Sequence, residues 1–187
     1  MKKLLIATSA LMIALSGFAQ GTLEFKNRNT GAGVDAKVSL MDPMGADLGV
    51  LDSGYVAQLW AGPDAASLAP VTAPVPFRDG AGAGYWNPGA ETPAVVGSVA
   101  PGAVAFVDVA AWDANYATLG DALAAGAAAG TFSGAGNALL EIATGGAGSP
   151  PSLESPLAGL QAFSISAVPE PSTIALALLG AAALFLR

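Results

Sequence analysis

Short runs of alternating apolar and polar residues, cut apart by glycine and proline, restrict this chain's fold more than any other feature. In TLEFK, Leu23 and Phe25 share one face while Thr22, Glu24 and Lys26 share the other. In AKVSL, Ala36, Val38 and Leu40 oppose Lys37 and Ser39, and in AFSIS, Phe163 and Ile165 oppose Ala162, Ser164 and Ser166. Successive side chains of an extended backbone point to opposite sides, so this period marks strands with one buried face. Residues 55–61, 93–99, 103–112 and 138–144 are further apolar runs of strand length. Turn clusters separate them: Asp42-Pro43, Gly62-Pro63-Asp64, Arg78-Asp79-Gly80, Pro101-Gly102 and Ser149-Pro150-Pro151.

One segment follows a helical rule instead. In NYATLGDALAAGAAAG, Leu119 and Leu123 stand four apart among alanines, which predicts a short helix near 117–128. Asn115 or Thr118 would cap its start, and Gly126 and Gly130 would end it. The glycine- and alanine-rich stretches at 80–84 and 124–136 otherwise read as loops. The expected class is mainly β: an antiparallel β-sandwich of about seven or eight strands with one short inserted helix. An N-terminal signal helix and a C-terminal hydrophobic helix flank it. No repeat of 20–50 residues is visible.

Composition narrows the chemistry. The 187 residues include 24 glycines and 13 prolines but no cysteine and no histidine. Disulfides, thiol nucleophiles, imidazole bases and soft metal ligands are therefore all excluded. The formal net charge is −7, and between the two ends the only bases are Lys26, Arg28, Lys37 and Arg78. An acidic body argues against nucleic acid and against anionic membrane surfaces as partners. GAGAG near residue 82 lacks the lysine and following helix of a phosphate loop.

Three groups of residues hold what chemistry remains. Asp42, Asp47 and Asp52 recur every five residues beside glycines and are candidate calcium ligands, although the spacing is not that of a calcium loop. A solvated acidic loop is the plainer reading. Trp60, Tyr85 and Trp86 are candidates for stacking on sugar rings, with ordinary core packing as the alternative. Asp108 falls on the same strand face as Val104, Phe106, Ala110 and Trp112, where a bare carboxylate is costly. Either Ala105, Val107, Val109 and Ala111 form the buried face, or Asp108 bonds something specific. An acid pair such as Asp108 and Asp113 could serve a glycosidase only at the right separation. No cofactor is expected.

The two ends speak of transport. MKKLLIATSALMIALSGFAQG joins a basic start (Lys2, Lys3), an apolar stretch over 4–15 and small residues at 17 and 19. That is the three-part pattern of a secretory signal, with cleavage between Ala19 and Gln20. Near the other end, VPEPS precedes thirteen apolar residues (174–186) and then Arg187. Thirteen helical residues cover about 20 Å, less than the roughly 30 Å of a bilayer core.

Pro169-Glu170-Pro171, an apolar segment and a terminal arginine, in that order, resemble the PEP-CTERM sorting signal of Gram-negative bacteria. The resemblance covers about 20 of the 187 residues and implies the following. Pro169, Glu170 and Pro171 form the recognition element of an exosortase, a membrane protease-transpeptidase. Residues 173–187 form a removable tail that touches the membrane before processing. The Sec translocon and signal peptidase act at the other end, and exopolysaccharide is a further expected partner. YVAQLWAGPDAASLAPV and GLQAFSIS are also similar to segments of exported proteins with this signal, a similarity that brings no activity with it.

Three parts are thus expected: a signal peptide (1–19), a β-sandwich domain (20–167) and a sorting signal (168–187). The expected protein is exported through the inner membrane to the cell surface or extracellular matrix and is not an enzyme. It has a structural or adhesive role, or, alternatively, is a carbohydrate-binding module assisted by calcium.

Overall fold

The computed structural model describes residues 20–146 and 150–167. Ala19, Pro169, Glu170, Pro171 and both expected terminal helices lie outside the described residues. The first half of the body contains β1 (Gly21–Glu24), β2 (Arg28–Asn29), β3 (Val34–Asp35), β4 (Val38–Met41), β5 (Asp47–Val50), β6 (Tyr55–Gly62), β7 (Ala69–Pro70) and β8 (Val75–Pro76). The second half contains β9 (Ala94–Val96), β10 (Val104–Asp113), α1 (Leu119–Ala124), β11 (Ala128–Thr131), β12 (Leu140–Ala143), β13 (Gly145–Gly146), β14 (Ser155–Pro156) and β15 (Phe163–Ala167).

The chain is mainly β with one short helix, as the alternation predicts. All seven predicted strand segments contain a strand: β1, β4, β6, β9, β10, β12 and β15. Two expectations need correction. The strands are more numerous, because two-residue pieces such as β2, β3, β7 and β8 carry no periodicity to read. The pairing is also mixed, since β15 runs parallel to β4, and β1 runs parallel to β14. β11 lies inside the stretch at 124–136 that composition marks as loop.

A nine-stranded sheet runs β5-β4-β15-β11-β10-β6-β7, with β12 also on β10 and β8 also on β6. At its centre β6 and β10 pair antiparallel over eight residues, from Tyr55 opposite Asp113 to Gly62 opposite Phe106. A four-stranded sheet places β1 among β13, β14 and β9, and β2 and β3 form a small ribbon. Both larger sheets feed one hydrophobic core: Leu23 from β1 and Val96 from β9 join Leu59 from β6 and Val107 from β10. Gly145 permits one close approach, because a Cβ there would stand 1.8 Å from the Leu153 carbonyl oxygen.

The opposite face of the large sheet is covered by α1. Trp112, Ala110, Ala129 and Ala122 form a second buried cluster, edged by Trp60, Val56, Tyr116 and Leu119. The helix is short because both ends are capped. Thr118 accepts from the Asp121 backbone N–H at 3.1 Å and donates to its carboxylate at 2.7 Å. At the other end Gly126 adopts φ 65°, Gly126 N–H reaches Leu123 O, and Ala127 N–H reaches Ala122 O, a Schellman closure. No helix among the described residues is long and apolar enough to cross a membrane. Leu59 is fully buried on the β6 inner face. Leu59→Ala is expected to lower unfolding free energy by about 2–5 kcal/mol, measured by urea denaturation.

Candidate functional site

Tyr85 and Trp86 follow a tight turn at Gly80–Gly82 and are drawn inward by Asn27. The Asn27 amide, buried at 1% exposure, donates to Ala36 O at 2.7 Å and Gly84 O at 2.9 Å. Its oxygen accepts from Trp86 N–H at 3.2 Å. One side chain thus ties its own segment to Ala36 and to the Gly84–Trp86 stretch. The Trp86 indole N–H donates to Phe25 O at 3.1 Å, and its ring packs 5.0 Å from Phe25 and edge-on to Phe77 at 6.0 Å. Trp86 is only 2% exposed. It packs as a core residue, the alternative set beside stacking for it.

Tyr85 is also buried, at 7% exposure, and its ring is already in use. The Arg28 guanidinium lies 5.1 Å and the Lys37 ammonium 5.4 Å from its centroid. The hydroxyl donates to Asp35, and that hydrogen bond, with burial and the Asp35 charge, raises the phenol above its ordinary pKa; Arg28 opposes the shift. Beside it, Lys26, Asn27, Arg28, Arg78, Tyr85, Trp86 and Pro88 line a pocket of about 90 Å³. All four basic residues of the body therefore border this pocket or the Tyr85 ring. Sequence reasoning missed the convergence, since Arg28 and Arg78 lie far apart in the chain. The one available signal was how few cations the body has.

Trp60 sits elsewhere. It is half-buried on the helix-covered face, where Gln58, Trp60, Pro70, Pro74, Leu119 and Leu123 line a groove of about 470 Å³. Its indole N–H is buried without a hydrogen-bond partner. The three aromatic candidates accordingly do not form one platform.

The aspartates are occupied with their own loops. Asp42 accepts from Met44 and Ala46 N–H, Asp47 from Gly49 N–H, and Asp52 from Gly54 N–H, at 2.7–3.0 Å. Among the described residues no three acidic side chains gather to hold a metal. Asp108 bonds something specific: its carboxylate accepts from Val109 N–H at 2.9 Å, Ser133 N–H at 3.0 Å and the Ser133 hydroxyl. Ala105, Val107, Val109 and Ala111 are at the same time fully buried. Gln20, the expected first residue after signal cleavage, is exposed ahead of β1.

Lys26 bonds Glu24 at 2.6 Å, and this hydrogen bond holds the Glu24 carboxyl below its ordinary value of 4.5. A depressed folded pKa stabilises the protein above the unfolded value, and that contribution disappears as pH falls through the folded value. Glu24→Gln should therefore flatten the loss of stability below pH 4.5, read from thermal midpoints across pH. Asn27→Ala should cost about 1–3 kcal/mol for each backbone group orphaned, read by chemical denaturation.

Comparison with curated proteins and with solved structures returns no match for the chain. Comparison with family models does: residues 167–187 match the PEP-CTERM protein-sorting motif. The match contains Pro169, Glu170 and Pro171 and spans the apolar run and Arg187, so this chain carries a PEP-CTERM protein-sorting motif.

Proposed function

We propose that this is an exported, non-enzymatic protein sorted by an exosortase to the cell surface or extracellular matrix, with a structural or adhesive role. The match of residues 167–187 to the sorting motif carries this reading. In it, the Sec translocon exports the chain and signal peptidase cuts between Ala19 and Gln20. The apolar tail holds the protein at the membrane until exosortase acts near Pro169-Glu170-Pro171. The mature part is residues 20–167, a sandwich in outline, supported by the core that its two larger sheets share. The non-enzymatic reading is supported by how the buried polar side chains are used. Asn27, Thr72, Asp108 and Thr144 all bond backbone groups.

A glycan-binding role is the second reading, favoured by one observation: the Trp60 groove offers an aromatic ring, the Gln58 amide and two prolines in one concavity. A glycan array that shows no binding, or binding unchanged by Trp60→Ala, rules it out. For the sorting reading, mass spectrometry of the exported protein should find an N-terminus at Gln20 and a C-terminus near the Pro-Glu-Pro triplet. Recovery of intact 1–187 chains from the envelope would overturn it.

A further inference from the structure

We propose that the pocket between Arg28, Arg78 and Tyr85 binds an oxyanion, the carboxylate, sulfate or phosphate group of an acidic ligand. The proposal stands on charge placement and shape and does not depend on the sorting reading or on the Trp60 groove. The chain has fourteen acidic side chains, yet Lys26–Glu24 is the sole ion pair among the described residues. Arg28, Lys37 and Arg78 are exposed, make no ion pair among the described residues, and gather at one place. Glu24 answers Lys26, and Asp35 is engaged by the Tyr85 hydroxyl. Asp79, next to Arg78, turns its carboxylate onto Ser53 N–H at 3.0 Å. These hydrogen bonds leave the carboxylates charged, so the four cations Lys26, Arg28, Lys37 and Arg78 stand against the three carboxylates Glu24, Asp35 and Asp79, and one net positive charge is left over around the pocket.

Contact with an aromatic ring accounts for where Arg28 and Lys37 lie but not for Arg78, which reaches the same pocket from a different loop. Arg78 is held there by the backbone, since its N–H donates to Tyr85 O at 2.9 Å. A pocket of about 90 Å³ admits one small charged group rather than a whole sugar ring. Arg28 and Arg78 both line it, and a guanidinium fork suits the planar, bidentate geometry of carboxylate and related oxyanions. The Tyr85 ring serves as the platform that fixes a cation, so recognition falls to charge and not to stacking.

Heteronuclear NMR titration of the full chain at low salt tests this, with inorganic phosphate, tetragalacturonate, a sulfated disaccharide and neutral cellotetraose as probes. Saturable shifts at the Trp86 indole and the arginine side chains are expected with the anions. The affinity should fall about tenfold or more in Arg28→Gln and in Arg78→Gln, the loss of a charge-assisted hydrogen bond. Added salt should weaken binding, and Arg28→Lys should recover part of it. Tighter binding of tetragalacturonate or the sulfated sugar than of phosphate assigns an acidic glycan, and the reverse order assigns a free anion; both support the site. Absence of saturable shifts with every anion, equal binding of cellotetraose, or unchanged affinity in both glutamine variants overturns it. Both arginines are exposed, so unchanged backbone spectra of the variants separate lost binding from lost folding.

Discussion

Eight residues of β6 pair with eight of β10, and this ladder is the constraint on which the rest of the body depends. Its inner face presents Ala57, Leu59 and Ala61 beside Ala105, Val107, Val109 and Ala111, all essentially without solvent contact. Only alanine, valine and leucine stand there, so the small sheet can press Leu23 and Val96 against the same core. The outer face of the same ladder carries Trp60 and Trp112, which gives α1 something to cover. Both layers are anchored to one pair of strands because a side-chain period of two gives each strand two usable faces.

The outer edges of the pair are broken up, and polar side chains repair the breaks. β10 pairs with β12 over its first residues and with β11 over its last, while β6 pairs with β8 and then β7. Leu59 and Val109 stand opposite each other at the two changeovers. Leu59 N–H donates to the Thr72 hydroxyl at 3.0 Å, and Val109 N–H donates to Asp108 at 2.9 Å. Each carbonyl then accepts from the neighbouring loop, Leu59 O from Val71 N–H and Val109 O from Phe132 N–H. Buried backbone groups need partners wherever a neighbouring strand stops. Asp108 is therefore explained as part of the sheet.

Asn27 plays the equivalent part between loops, and its position has a consequence at the surface. By fixing Gly84 O and Trp86 N–H, it sets Tyr85 in place beside Arg28 and Lys37. Internal backbone repair and the external cluster of cations are thus linked through one buried amide. The cations cost little where they are, because the ring faces attract them while solvent screens their mutual repulsion.

By itself the sequence determined the mainly β class, the seven longer strand segments, the short helix with its cap narrowed to Asn115 or Thr118, and the sorting motif. Each of these is written in local order: a period of two, a cap residue before a leucine pair, or a triplet ahead of an apolar run. Tertiary structure alone decided the rest. Parallel pairing of β15 with β4 joins segments more than a hundred residues apart, and two-residue strands exist only because a partner lies alongside. Tyr85 and Trp86 look alike in sequence as loop aromatics, yet both are buried, while Trp60, inside an apolar strand, is the one left beside an open groove. Arg28 and Arg78 share a pocket for the same reason: proximity in space is set by the β6–β10 core and the Asn27 clamp, and neither leaves a trace in local spacing.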